Sequence, residues 1–265
     1  MKKNIGCLFL LASVPMLLMV GCSNNSGSGP SGGSTSTTGP TSTATPASYT
    51  TPQTTPQAAV NLGTAANYVI LSYTGITNSG PSTTCGGYGV YPDGTTSVTG
   101  SPAIVESCGG AIDVADANAN TAKIALSGAY TDASSRAGGA VIPAGADIGG
   151  QTLYPGLYTC GGNINVSKSD LTLNGNGNVN SIFIFQSTGN LVIGPGRKII
   201  LTNSAQAANV FWTTAGYCSL DTTVAMVGNI MAYTSVTLNT GAALTGRALA
   251  ENGNVTLLTN NITHP

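Results

Sequence analysis

The sequence predicts a mainly β fold: a solenoid of roughly triangular coils, about 18–20 residues each, with one long α-helix packed along a face. Three observations predict it: a repeat near the C-terminus, three kinds of short strand that recur in phase, and an alanine-rich helical stripe. Val236-Thr237-Leu238-Asn239-Thr240 returns nineteen residues later as Val255-Thr256-Leu257-Leu258-Thr259. Asn229-Ile230-Met231-Ala232 is answered, eighteen residues on, by Arg247-Ala248-Leu249-Ala250. Ser219-Leu220-Asp221-Thr222 and Asn209-Val210-Phe211-Trp212 precede them in the same phase. Short β-type runs at this period stack at the inter-strand distance, about 4.7–4.9 Å, so equivalent side chains form straight files.

The first element is a targeting segment. Lys2 and Lys3 form a basic start, and an apolar run from Ile5 to Val20, broken at Pro15, closes on Met19-Val20-Gly21-Cys22. That ending resembles the lipobox of bacterial lipoproteins, so residues 1–21 are expected to be a signal peptide and Cys22 the lipidated first mature residue. The chain is then exported and lipid-anchored to the bacterial cell surface or outer membrane, with plain secretion as the alternative. Residues 22–59 hold no charge and are mostly Ser, Thr, Gly, Pro, Ala, Asn and Gln, the composition of a disordered tether. The remaining residues, 60–265, suffice for one solenoid domain.

Within that domain, Leu62 to Leu71 reads as a strand run that adds a coil to the solenoid. From Ala111 to Arg136 the apolar positions Ile112, Ala115, Ala119, Ala122, Leu126, Ala129 and Ala133 form one helical stripe, stopped by Gly138-Gly139. Asp113 and Asp116 fall in its first turns, where the helix dipole favours acids. A first face contains Ile182-Phe183-Ile184-Phe185, Val210-Phe211-Trp212, Ile230-Met231-Ala232 and Ala248-Leu249-Ala250, apolar throughout and hence covered on both sides, by the helix. Trp212 is read as core beneath that helix. A second face alternates: Leu171-Thr172-Leu173, Leu191-Val192-Ile193, Ser219-Leu220-Asp221, Val236 to Asn239 and Val255 to Leu258. A third runs through Ile199 to Thr202, Val224 to Val227 and Ala243 to Thr245.

Charge and cysteines exclude several function classes. Loss of Lys2 and Lys3 leaves six of the eight basic residues against nine acidic ones, so no phosphate backbone could be neutralised and nucleic acid is excluded as a partner. Cys85, Cys108, Cys160 and Cys218 make an even set in an exported chain, with three possible pairings. Cys85–Cys108 and Cys160–Cys218 are expected because each joins neighbours in coil order. No Cys/His spacing supports a metal site, no cofactor is expected, and His264 stands at a frayed end.

Longer motifs then resemble the microbial ice-binding (antifreeze) protein family. They are Leu62-Gly63-Thr64-Ala65-Ala66-Asn67-Tyr68, Leu153-Tyr154-Pro155-Gly156-Leu157-Tyr158, Ile182 to Gln186, Ala205 to Trp212, and Leu238-Asn239-Thr240-Gly241 with Gly246 to Ala250. The resemblance implies a right-handed, discontinuous β-solenoid with a helix alongside, acting as a monomer on ice and not as an enzyme. It puts the ice site on the flat solvent-facing sheet away from the helix. Here that is the second face, with outward Thr172, Val192, Ser219, Asp221, Thr237, Asn239, Thr256 and Leu258, and Thr74 from the N-terminal coil. Should that face fail, Thr202, Val227 and Thr245 on the third are next. Tyr88, Tyr91 and the Cys85–Cys108 segment suggest an end cap.

Three other readings fit parts of the sequence. Threonine files also arise from β-propensity alone. A surface adhesin or carbohydrate-binding solenoid would use the same anchor and tether. A solenoid lyase or hydrolase needs clustered carboxylates, and only Asp170 and Asp221, with Lys168, come close.

Overall fold

The structure, a computed structural model, describes residues 49–94 and 96–265; the expected signal peptide, Cys22 and the tether up to residue 48 lie outside them. Short parallel strands stack into three faces around an apolar interior, as the recurring phase requires. On the helix face the order is Ala140–Ile142, Gly156–Cys160, Phe183–Ser187, Val210–Thr214 and the ends of Ala225–Ala232 and Ala243–Ala250. There the chain order breaks: Ala248 and Leu249 pair with Ile70 and Leu71, so Tyr68–Ser72, Gly87–Val90 and Ile112–Val114 continue the stack. The N-terminal coils therefore sit on the C-terminal one. The Cys85–Cys108 segment is not an overlying cap but the outermost coil, with Tyr88 buried and Tyr91 half-buried.

The helix, Ala117–Ser135, runs back along the stack. Its 19 residues span about 28 Å, or roughly six rungs. It starts six residues later than the apolar spacing suggested. Ile112–Val114 is a strand paired to Tyr88–Val90, Ile112 is exposed, and Ala115 turns the chain with a φ of 55°. Asp116 is the N-cap, accepting from Ala119 N at 2.9 Å. Asp113 instead accepts from the Tyr68 hydroxyl at 2.6 Å and from Asn118 at 3.2 Å. At the other end Gln186 donates to the carbonyls of Ala133 (2.7 Å) and Arg136 (2.9 Å), satisfying orphan acceptors of the last turn.

Two cores result. Ala122, Leu126, Ala129 and Ala133 pack on Leu71, Leu157, Ile184, Phe211, Met231 and Leu249, and small alanines let helix and sheet approach closely. The alternate residues of the same strands point into the coil. Trp212 is among them: it is buried inside the solenoid and not under the helix, stacked on Phe185 at 4.0 Å, with Tyr158 stacked on Phe185 at 5.0 Å. Lys123 docks the helix to the junction, donating to Ala250 O (2.7 Å) and Glu251 O (2.8 Å). Arg247 does the same for the N-terminal coil, binding Ala66 O and Asn229 Oδ1 (2.8 Å both). Where strands round a corner, Gly228 and Gly246 stack in register, and a Cβ on Gly246 would stand 1.9 Å from the Gly228 carbonyl.

Among the described residues one disulfide forms, Cys85–Cys108. The expected Cys160–Cys218 bond does not; both are buried free thiols. Cys160 ends a helix-face strand, whereas Cys218 lies on the second face, two rungs beyond the coil that follows Cys160. Two rungs alone span about 9.5 Å, beyond the Cα–Cα reach of a disulfide.

Candidate functional site

The second face is one continuous seven-stranded parallel sheet: Ile164–Val166, Leu191–Ile193, Cys218–Leu220, Val236–Leu238, Asn254–Leu258, Gly75–Ser79 and Val98–Ser101. Its inward side chains, including Ile164, Leu191, Leu220, Val236, Leu238, Val255, Leu257 and Ile76, are essentially fully buried. The outward residues between them form a file in strict register: Asn165, Val192, Ser219, Thr237, Thr256, Thr77 and Thr99. Four threonines thus occupy four successive rungs. A second file lies two residues on. Leu258, Ser79 and Ser101 are paired in it, and backbone bonds from Asp221 N to Ile193 O (3.0 Å) and Asn239 N to Leu220 O (2.9 Å) extend the ladder to Asp221 and Asn239. The two files define a grid of about 4.8 Å by 6.6 Å.

Of the residues expected on this face, Val192, Ser219, Asp221, Thr237, Asn239, Thr256 and Leu258 lie on it. Thr172 does not. Leu171–Asn174 pairs with Thr152–Leu153 and Ile199–Thr202 on the third face, and Asn165 takes its place in the file. Thr74 is exposed at the corner before the strand, and Thr77 occupies the file. Thr77 and Thr99 were missed because their rungs join the others only through the non-sequential stacking, which no repeat announces.

The other faces differ. The helix covers the first. On the third, Thr152–Leu153, Leu171–Asn174 and Ile199–Thr202 form a separate sheet joined to the next rung by a single Lys198–Ala225 bridge, so that plane is broken. Asp147 continues the first file beyond Asn165 through an isolated bridge, and within the seven strands the ionisable side chain of the two outward files is Asp221. Its Oδ1 accepts from Thr222 N at 2.7 Å, which turns the carboxylate toward its own turn. Asp170, two coils earlier, is likewise held by Lys198 N at 3.0 Å, so the two acids face backbone donors and not one another. Among the described residues no group of three or more His, Cys, Asp or Glu is placed to hold a metal.

A discontinuous parallel solenoid with a helix on one face and a hydroxyl-bearing sheet on another defines a recognisable class. The chain belongs to the family described as Ice-binding-like, whose sequence pattern matches residues 70–263. It is 37% identical over 215 residues to an ice-binding protein of Flavobacterium frigoris, covering 78% of this chain and 76% of that one. Against an ice-binding protein of a Colwellia species it is 35% identical over 218 residues, covering 78% and 84%. Among solved structures, an ice-binding protein from an Antarctic biological consortium superposes with a TM-score of 0.75 at 36% identity, over 80% of this chain and 95% of that one. One from the Antarctic ascomycete Antarctomyces psychrotrophicus gives 0.72 at 29% identity, over 78% and 99%.

Proposed function

We propose that this protein adsorbs to ice through the threonine face and so restrains ice growth and recrystallisation. The observation that carries the reading is the in-register file Thr237, Thr256, Thr77 and Thr99 on an unbroken, almost uncharged sheet. Ice presents a rigid two-dimensional lattice, and a stack of coils supplies a matching one: rung spacing in one direction, alternate residues in the other. Threonine suits the grid because its branched Cβ limits χ1 freedom, so little ordering remains to be done on contact. The methyl orders the water beside it and the hydroxyl fixes that layer in place. A single contact worth about 1 kcal/mol would not hold, but seven rungs add. Adsorption, without catalysis, is the whole activity in this reading.

The same proposal covers location. The protein is exported, lipid-anchored through Cys22 to the cell surface, and acts there as a monomer on ice. Purified protein should shape ice crystals and slow recrystallisation at low concentration. Ice that grows and coarsens as in buffer would refute the function. Palmitate labelling of the expressed chain that persists in a Cys22→Ala variant would refute the anchor.

A further inference from the structure

We propose that residues 49–59 are a cap that closes one open end of the solenoid and shields, from a second copy of the chain, the part of the Gly156–Cys160 edge that the last strand, Ala140–Ile142, leaves unpaired. The composition of this stretch reads as tether, yet it lies against the domain. On the outer side of Gly156–Cys160 the neighbouring strand pairs only with Tyr158, Thr159 and Cys160. The Leu157 N–H is thereby left on an edge, and Gln53 Oε1 accepts from it at 3.1 Å. Gly156 makes the fit possible: a Cβ there would stand 2.3 Å from Gln53 Cδ. Arg136, braced by Asp132 at 2.7 Å, donates to the carbonyls of Ala58 and Ala59, and Tyr49 packs on the interior cluster.

Unpaired strand edges template pairing with another chain. The cap removes this one and adds no new edge, because Pro52 and Pro56 have no N–H to offer. A second copy of the same solenoid end is the partner the uncovered edge fits, since its backbone has the same unpaired groups. The cap begins at Tyr49, at this end of the stack. That point is six rungs, about 29 Å, from the rung of Thr99.

The test is the double variant Gln53→Ala/Arg136→Ala in the full chain, read by amide hydrogen exchange and by sedimentation over a concentration series. The cap predicts that Leu157 N–H exchanges about tenfold faster, that Leu238 N–H in the middle of the stack is unchanged, and that a concentration-dependent dimer appears. Leu157 exchange at the wild-type rate, or faster exchange in a protein that stays monomeric throughout, would overturn the proposal.

Discussion

Thr77→Tyr, compared with Thr74→Tyr, separates the file from its surroundings. Thr77 lies between Thr256 and Thr99 in register, each one rung away, whereas Thr74 sits outside the ladder at the corner. A tyrosine ring at position 77 projects beyond the plane and overhangs a rung on either side, about 4.8 Å away. Three of the four threonine contacts are then lost. At about 0.5–1.5 kcal/mol each, that removes about 1.5–4.5 kcal/mol, or roughly ten- to a thousandfold in apparent affinity. Both substitutions are at exposed positions and should change stability by no more than about 0.5 kcal/mol, which is about 1–2 °C in Tm for a domain this size. The neighbouring Ile76→Ala, in contrast, empties a fully buried site and should cost about 2–5 kcal/mol. Recrystallisation inhibition and circular-dichroism melting, run together, should give an inactive stable T77Y, an active stable T74Y and a destabilised I76A. A T77Y protein that inhibits like wild type, with unchanged melting, would refute the placement of the site on this face.

Other outcomes follow from the packing. The double variant Cys85→Ser/Cys108→Ser releases the outermost coil, closed over 23 residues, and should lower stability by about 2–4 kcal/mol. Titration of the denatured, unreduced domain should find two thiols, Cys160 and Cys218; four would contradict the structure. Trp212→Ala breaks the stack on Phe185 and should cost about 3–5 kcal/mol in denaturant unfolding. Burial pushes the Asp147 carboxyl up, but hydrogen bonds from Ser167, Gly149 and Lys168 outweigh it and hold the pKa below the ordinary 3.8. A depressed carboxylate stabilises above its unfolded pKa and loses that contribution as pH falls through the folded one. Asp147→Asn should therefore lower Tm at neutral pH, and the gap should narrow as pH falls below the ordinary carboxylate value of 3.8. Lys123, pushed down to about 8 by burial against the partial support of Glu251, gives a slope of the same sign at higher pH: stability should rise between pH 8 and 10.5, and Lys123→Met should flatten that rise.

Where the sequence read well, a regular local period was the cause. From Cys218 onward the threonine face repeats every 18 or 19 residues, Cys218 to Val236 to Val255, and there each strand and its inward phase are legible. The earlier coils are longer: Ile164 pairs with Leu191 and Leu191 with Cys218, each 27 residues on. Projecting the shorter period backward from Leu191 lands within Leu171-Thr172-Leu173, whose alternation looks the same but belongs to the third face. The helix start was hidden for a similar reason, since Ile112 and Ala115 fit a helical stripe while forming a strand and a left-handed turn. The second disulfide failed because an even count says nothing about rungs. Gln53, Lys123 and Gln186 could not be anticipated either, because each one's partner is a backbone group brought near only by the stacking.

The proposed contact with ice is the threonine face. Fluorescently labelled protein frozen onto a growing single ice crystal tests it most directly, with wild type beside a Thr77→Tyr/Thr237→Tyr variant of matched melting temperature. Wild type should be overgrown and retained in the ice, while the variant is swept into the remaining liquid. Equal incorporation of the two proteins would contradict it.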